Sequence, residues 1–179
     1  MQIRCIEVAC AAVFMLSDGS SQTFMDLDRF DRLLLTALQE DAGQTAERLA
    51  DRVGLSPSAI QRRVRRLREH GVIVRDTAIL DPRQVGAPAL FIVALQVERE
   101  RPEMLSHLRE ALAKESNVQQ IFYVTGEADF ILVIVARNTA EFDEYMSALV
   151  HAHPNIKRFT TSVVLNTVKQ GLSLPVSLD

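Results

Sequence analysis

Six arginines and a single acid, Glu69, fall in residues 55–75, LSPSAIQRRVRRLREHGVIVR, of a chain whose formal net charge is −3. Cationic charge gathered this way builds a face for a polyanion. Ile60, Val64 and Leu67 stand at i, i+4 and i+7, so a helix here packs one stripe and turns Gln61, Arg62, Arg65, Arg66 and Arg68 outward. Planar guanidinium groups can contact guanine bidentately, and a glutamine amide can do the same with adenine. A second set of reactive types is Thr125-Gly126-Glu127-Ala128-Asp129. Glycine allows close backbone approach, and two carboxylates on a tight loop could accept from the ammonium of a small amine or amino acid. The alternative is a plain hairpin turn with exposed acids. His151 and His153 share a helix at i and i+2, where they point to different sides and have no third ligand nearby, so no metal site is expected. Tyr123 and Tyr145 are expected to be packing residues of sheet and helix. No Ser-His-Asp, Cys-His, P-loop or GxGxxG arrangement is present, and neither catalysis nor a cofactor is expected.

The elements that must position these residues follow from periodicity and punctuation. Over residues 28–40, Phe30, Leu34, Ala37 and Leu38 form one helical stripe, with Asp26 and Asp28 at the N-terminal end. Asp41-Ala42-Gly43 breaks that helix, and Thr45 caps a short second one that runs to Val53 and stops at Gly54. Ser56 as N-cap and Pro57 at the first helical position start a third helix, which makes a helix-turn-helix. Such a motif lays its second helix in the major groove of duplex DNA. Ser56, Ser58, Gln61, Arg62 and Arg65 are then expected to reach bases or phosphates, and Arg63, Arg66 and Arg68 to reach flanking phosphates. A solvated basic helix is the alternative. The cap, the preceding short helix and the uncompensated charge together favour DNA.

Two β-type runs, 72–74 and 78–80, flank Arg75-Asp76-Thr77 and predict a small wing or hairpin. Asp81-Pro82 and Gly86-Ala87-Pro88 mark a domain boundary. Beyond it the pattern predicts strand 89–97, helix 102–115, strands 118–125 and 129–136, helix 139–153 and a long strand 156–168. That βαββαβ order is the ferredoxin-like arrangement, in which helices cover one face of an antiparallel sheet. FILVIVA, residues 130–136, is apolar on both faces, so a second copy of the chain is expected to cover the open face. The fold class is therefore α+β, a winged helix-turn-helix domain followed by a ferredoxin-like domain. The expected divisions are 1–24 as an extension, 25–87, 88–170, and a tail at 171–179.

Composition bounds the remaining choices. With 47% hydrophobic and 24% charged residues, the 179-residue chain matches ordinary globular proteins. Lys and Arg number 11 against 10 acids in residues 26–87, and 8 against 11 in residues 88–179, so the basic half comes first. Cys5 and Cys10 are the only cysteines, which excludes a disulfide framework and fits a reducing cytoplasm. No apolar run reaches transmembrane length, and no membrane partner is expected. Arg4 followed by IEVACAAVFML imitates a short signal peptide. Glu7 interrupts that run and SDGSSQTF lacks a small-x-small cleavage site. An upstream extension, with Met25 as an alternative start, is the preferred reading, and residues 1–24 are expected to be poorly ordered.

Four phrases in register, LDRFDRLLLTALQEDAG, LADRVGLSPSAIQRRVRRLREHGVI, TGEADF and TSVVLNTVKQGLSLPV, resemble the Lrp/AsnC family of transcription regulators from Leu27 to about Pro175. The resemblance implies an N-terminal DNA-binding domain and a C-terminal effector-binding and oligomerisation domain. It also implies dimers that often assemble into octamers, and an amino acid effector held between dimers near Gly126, Glu127 and Asp129. Thr139 and Ser162 match positions that affect effector response in that family. Ala128 departs from the family's usual larger residue and puts the identity of the ligand in question. Siroheme decarboxylases resemble the same two-domain family and give the enzymatic alternative, but they would not need a strongly basic recognition helix.

Overall fold

In a computed structural model of the chain, residues 25–87, 89–98 and 102–177 are described, and the extension expected at 1–24 lies outside the described residues. The first helix, α1 (Arg29–Glu40), starts where two acids cap each other's backbone. The Asp28 carboxylate accepts from the Asp31 N–H at 2.8 Å, and the Asp31 carboxylate accepts from the Asp28 N–H at 3.3 Å. This reciprocal capping box satisfies two donors that a helix start otherwise leaves orphaned. Helix α2 (Ala46–Val53) is capped by Thr45, and α3 (Pro57–Glu69) by Ser56 with Pro57 in the first turn. Between them Gly54 sits at φ 79°, a left-handed conformation that glycine enters without a Cβ penalty. Leu34, Ala37, Leu49, Val53, Ile60 and Leu67 from the three helices form one buried cluster.

The expected hairpin after α3 does not form. Val72 and Ile73 pack half-buried against that cluster, with both N–H groups donating to the Leu67 carbonyl. Residues 74–80 join no ladder, and Val74 and Ile79 are each 87% exposed. The turn Arg75-Asp76-Thr77 lacks a glycine for a left-handed position, and Asp76 is drawn back to Arg68 on α3 at 2.7 Å. An isolated two-stranded hairpin has little stability to set against that.

The second half carries β1 (Ala89–Val97), α4 (Pro102–Lys114), β2 (Val118–Tyr123), β3 (Phe130–Ala136), α5 (Thr139–Ala152) and β4 (Ile156–Val163). The sheet order is β2-β3-β1-β4 with every neighbouring pair antiparallel. Strict alternation along β3 and most of β1 sends Phe91, Val93, Leu95, Phe130, Leu132 and Ile134 under the helices. There they meet Leu108 and Leu112 of α4 and Met146 of α5, and the Phe91 and Phe142 rings stack at 4.0 Å. On the opposite face Ile92 is 42% and Phe122 49% exposed. Strand β4 ends at Val163, shorter than the expected run to 168. One further bond joins the Val164 N–H to the Leu90 carbonyl near the start of β1, and no ladder continues beyond it among the described residues.

The described residues divide into two compact units, 80–168 and 25–79 together with the segment from 169. The segment expected as a tail at 171–179 groups with the helical unit. The Gln39 amide donates to the Leu174 carbonyl at 3.0 Å and accepts from the Leu174 N–H at 2.6 Å. The Arg32 guanidinium donates to the Ser177 carbonyl at 3.0 Å, and Val176 packs against the helical core.

Candidate DNA-binding face and effector loop

Burial of Ile60 and Leu67 fixes which side of α3 faces its own domain. Gln61, Arg62 and Arg65 stand exposed on the other side, and neither arginine enters an ion pair among the described residues. Ser56 and Ser58 are exposed at the N-terminal end, with their hydroxyl oxygens 3.2 Å apart. The Ser56 oxygen also accepts from the Ala59 N–H at 3.3 Å. One helix end and one face therefore gather five polar side chains of the types that contact bases and phosphates.

The other three expected contacts are engaged elsewhere. Asp31 has no exposed surface, and its carboxylate accepts from Arg63 Nη1 at 2.8 Å and from Arg66 Nη2 at 2.6 Å. Arg63 also reaches Asp28 at 2.7 Å and lies over the Phe30 ring. Arg66 was expected to point outward, but a buried carboxylate requires cationic partners and takes it inward. Arg68 is paired with Asp76 at 2.7 Å. Burial works against ionisation of Asp28, yet the Asp31 N–H and the Arg63 guanidinium outweigh it and hold the carboxyl below its ordinary 3.8. This clamp between α1 and α3 was missed in the sequence. Its signal was present: Arg63 falls at i+3 on the Ile60, Val64, Leu67 stripe, where a cation calls for a buried acid.

The loop after β2 is held by its backbone. The Val124 N–H donates to the Asp129 carbonyl and the Asp129 N–H to the Leu95 carbonyl, both at 2.9 Å. Gly126 adopts φ 128° between them, a region side chains avoid. The two acids separate in role. Asp129 Oδ2 accepts from the Val97 N–H at 2.7 Å, so it pins the loop to β1. Glu127 keeps an exposed side chain, while its carbonyl accepts from the Gln96 amide. Thr125 is exposed and Ala128 half-buried in the same loop.

Thr139 and Ser162 do not join this loop within one chain. Thr139 opens α5 beyond the far end of β3, after the Asn138 side chain caps the Glu141 N–H at 2.9 Å. The seven residues of β3 set it roughly 20 Å from the loop. Ser162 lies opposite Ile92, four residues along β1 from Gln96. His151 lies in the last turn of α5, while His153 follows the helix and lines an apolar cleft of about 410 Å³ with His107. No group of three potential metal ligands occurs among the described residues. Tyr145 is half-buried, and burial, then Glu115, push its phenol up to about 12. Arg109 lies over the ring of Tyr123.

Residues 27–74 match the family model described as winged helix-turn-helix DNA-binding, and residues 90–174 match the Lrp/AsnC ligand binding domain. The two together define a transcriptional regulator with a DNA-binding helix-turn-helix and a ligand-binding domain. An uncharacterised HTH-type transcriptional regulator of Sinorhizobium fredii is 41% identical over 154 residues, covering 86% of this chain and 91% of that one. The leucine-responsive regulatory protein of Serratia marcescens is 31% identical, covering 89% and 97%. Among solved structures, the L-methionine complex of a transcriptional regulator from Neisseria meningitidis superimposes with a TM-score of 0.79. It is 27% identical and covers 84% of this chain and 97% of that one. The chain belongs to the Lrp/AsnC family of transcriptional regulators.

Proposed function

We propose that the protein is a sequence-specific, non-enzymatic DNA-binding regulator of the cytoplasm whose DNA affinity or assembly responds to an amino acid. The observation that carries the reading is the division of labour on α3. Arg63, Arg66 and Arg68 are engaged by acids of the chain, while Gln61, Arg62 and Arg65 face outward together with Ser56 and Ser58. These five form the DNA-contacting set. The effector reading is supported by the glycine-acid loop 125–129 and by the L-methionine bound to the Neisseria relative. The exposed apolar face around Ile92 and Phe122 supports a homodimer closed over the sheet, with dimers assembling further toward an octamer. An effector changes output only through unequal affinity for two arrangements of the assembly.

The test is fluorescence anisotropy on a duplex recovered by binding-site selection, titrated at several salt concentrations. Arg62→Ala and Arg65→Ala should each weaken binding and lower the salt slope by about one counterion if they contact phosphate. Sedimentation should show the same oligomer as the unaltered chain. Unchanged binding, or loss of the oligomer, would overturn the assignment of this face.

A further inference from the structure

The loop 125–129 offers one exposed carboxylate, Glu127, and no side-chain cation for the negative end of a zwitterion. A cation stands beside it. Gln96 on β1 lies directly opposite Arg158 on β4, which places both side chains on one face of the sheet. Arg158 Nε donates to Gln96 Oε1 at 2.7 Å, and Gln96 Nε2 donates to the Glu127 carbonyl. The amide orientation is forced, because a guanidinium only donates and a carbonyl only accepts. Gln96 therefore fixes the arginine and the loop with one side chain. Only Nε is used in this bond. Arg158 is exposed and enters no ion pair among the described residues, so its Nη1 and Nη2 edge remains for a ligand. It sits near the start of β4, an edge strand, at the same end of the sheet as the loop.

We propose that Arg158 is the carboxylate subsite of the effector site, with Glu127 receiving the ammonium, so that the site selects free α-amino acids over amines and esters. This rests on the effector reading given above. Gln96 links the Arg158 guanidinium to the Glu127 backbone carbonyl, so the two charged residues border the same end of the sheet. A guanidinium held through Nε presents two parallel N–H groups to a carboxylate, the geometry of a bidentate pair. Because Gln96 already orders the arginine, little side-chain freedom is lost when the ligand arrives. The assignment gives Gln96 a defined part as a positioning residue.

Calorimetric titration of the full chain and of Arg158→Gln with each of the twenty amino acids tests the assignment. The best binder is then compared with its decarboxylated amine and its methyl ester. The unaltered protein should bind the amino acid at least tenfold more tightly than either analogue. R158Q should lose about 10- to 100-fold for the amino acid, as expected for a charge-assisted bond, and bind the analogues as the unaltered protein does. R158K keeps the charge but not the fork, and should fall between the two. Circular dichroism melting separates these losses from misfolding. If R158Q binds and discriminates as the unaltered protein does, the Arg158 subsite is wrong while the effector reading stands. If the unaltered protein binds no amino acid, the effector reading itself fails and takes the subsite with it.

Discussion

Asp31→Asn keeps the size of the side chain and removes the charge at the centre of the α1–α3 clamp. The carboxylate it replaces is fully buried and accepts from the Asp28 N–H, Arg63 and Arg66. Loss of one partner from a buried ion pair costs roughly 3–5 kcal/mol. Arg63 and Arg66 retain 20% and 43% of their side-chain exposure, so water can take up part of the loss. The lower end, about 3 kcal/mol, therefore applies. In a unit of this size that corresponds to a fall of roughly 12–24 °C in the melting temperature of the helical unit. The assay is circular dichroism melting, followed by anisotropy on the selected duplex below the mutant's transition. Specific binding should fall more than non-specific binding, because α3 is no longer held in one orientation. Phosphate contacts at Arg63 and Arg66 would instead leave stability high and lower both kinds of binding. A melting temperature within 2 °C or so of the original, against the shift expected here, would refute the clamp.

Two further outcomes follow from the helical unit. Truncation after Gln170 removes the Leu174 and Ser177 hydrogen bonds and the packing of Val176, and should destabilise that unit by about 1–2 kcal/mol in urea unfolding. No change in the unfolding midpoint would show that the segment contributes nothing there. For pH, the Asp28 carboxyl lies below its ordinary 3.8, so its contribution is present above that value and is lost as pH falls below it. Asp28→Asn preserves an N-cap residue and should flatten the acid limb of a stability-against-pH curve. An unaltered acid limb would contradict the pairing with Arg63.

Much of the architecture was legible because it depends on local chemistry. Asp28, Thr45 and Ser56 announced three helix starts, Gly54 announced the turn, and alternation through FILVIVA announced β3. What escaped depends on partners distant in sequence. Arg63 and Arg66 look like DNA contacts until Asp31, more than thirty residues earlier, is placed beneath them. Asp129 looks like a ligand group until the Val97 N–H is placed against it. Residues 164–168 look like a continuing strand until the ladder with β1 ends at Val163, and the tail from 171 looks separate until Gln39 holds Leu174. The hairpin at 72–80 was suggested by β-branched residues alone, and propensity without a ladder partner does not make a strand.

We propose that one chain reads a DNA sequence at α3 and an amino acid at the loop around Gly126. Binding-site selection from random duplexes, run with and without a pool of amino acids, measures both ends at once. The expected result is an enriched sequence with two-fold symmetry, and a change in its recovery or in the bound stoichiometry when the pool is present. A library that stays random would contradict the first half, and identical enrichment under both conditions would contradict the second.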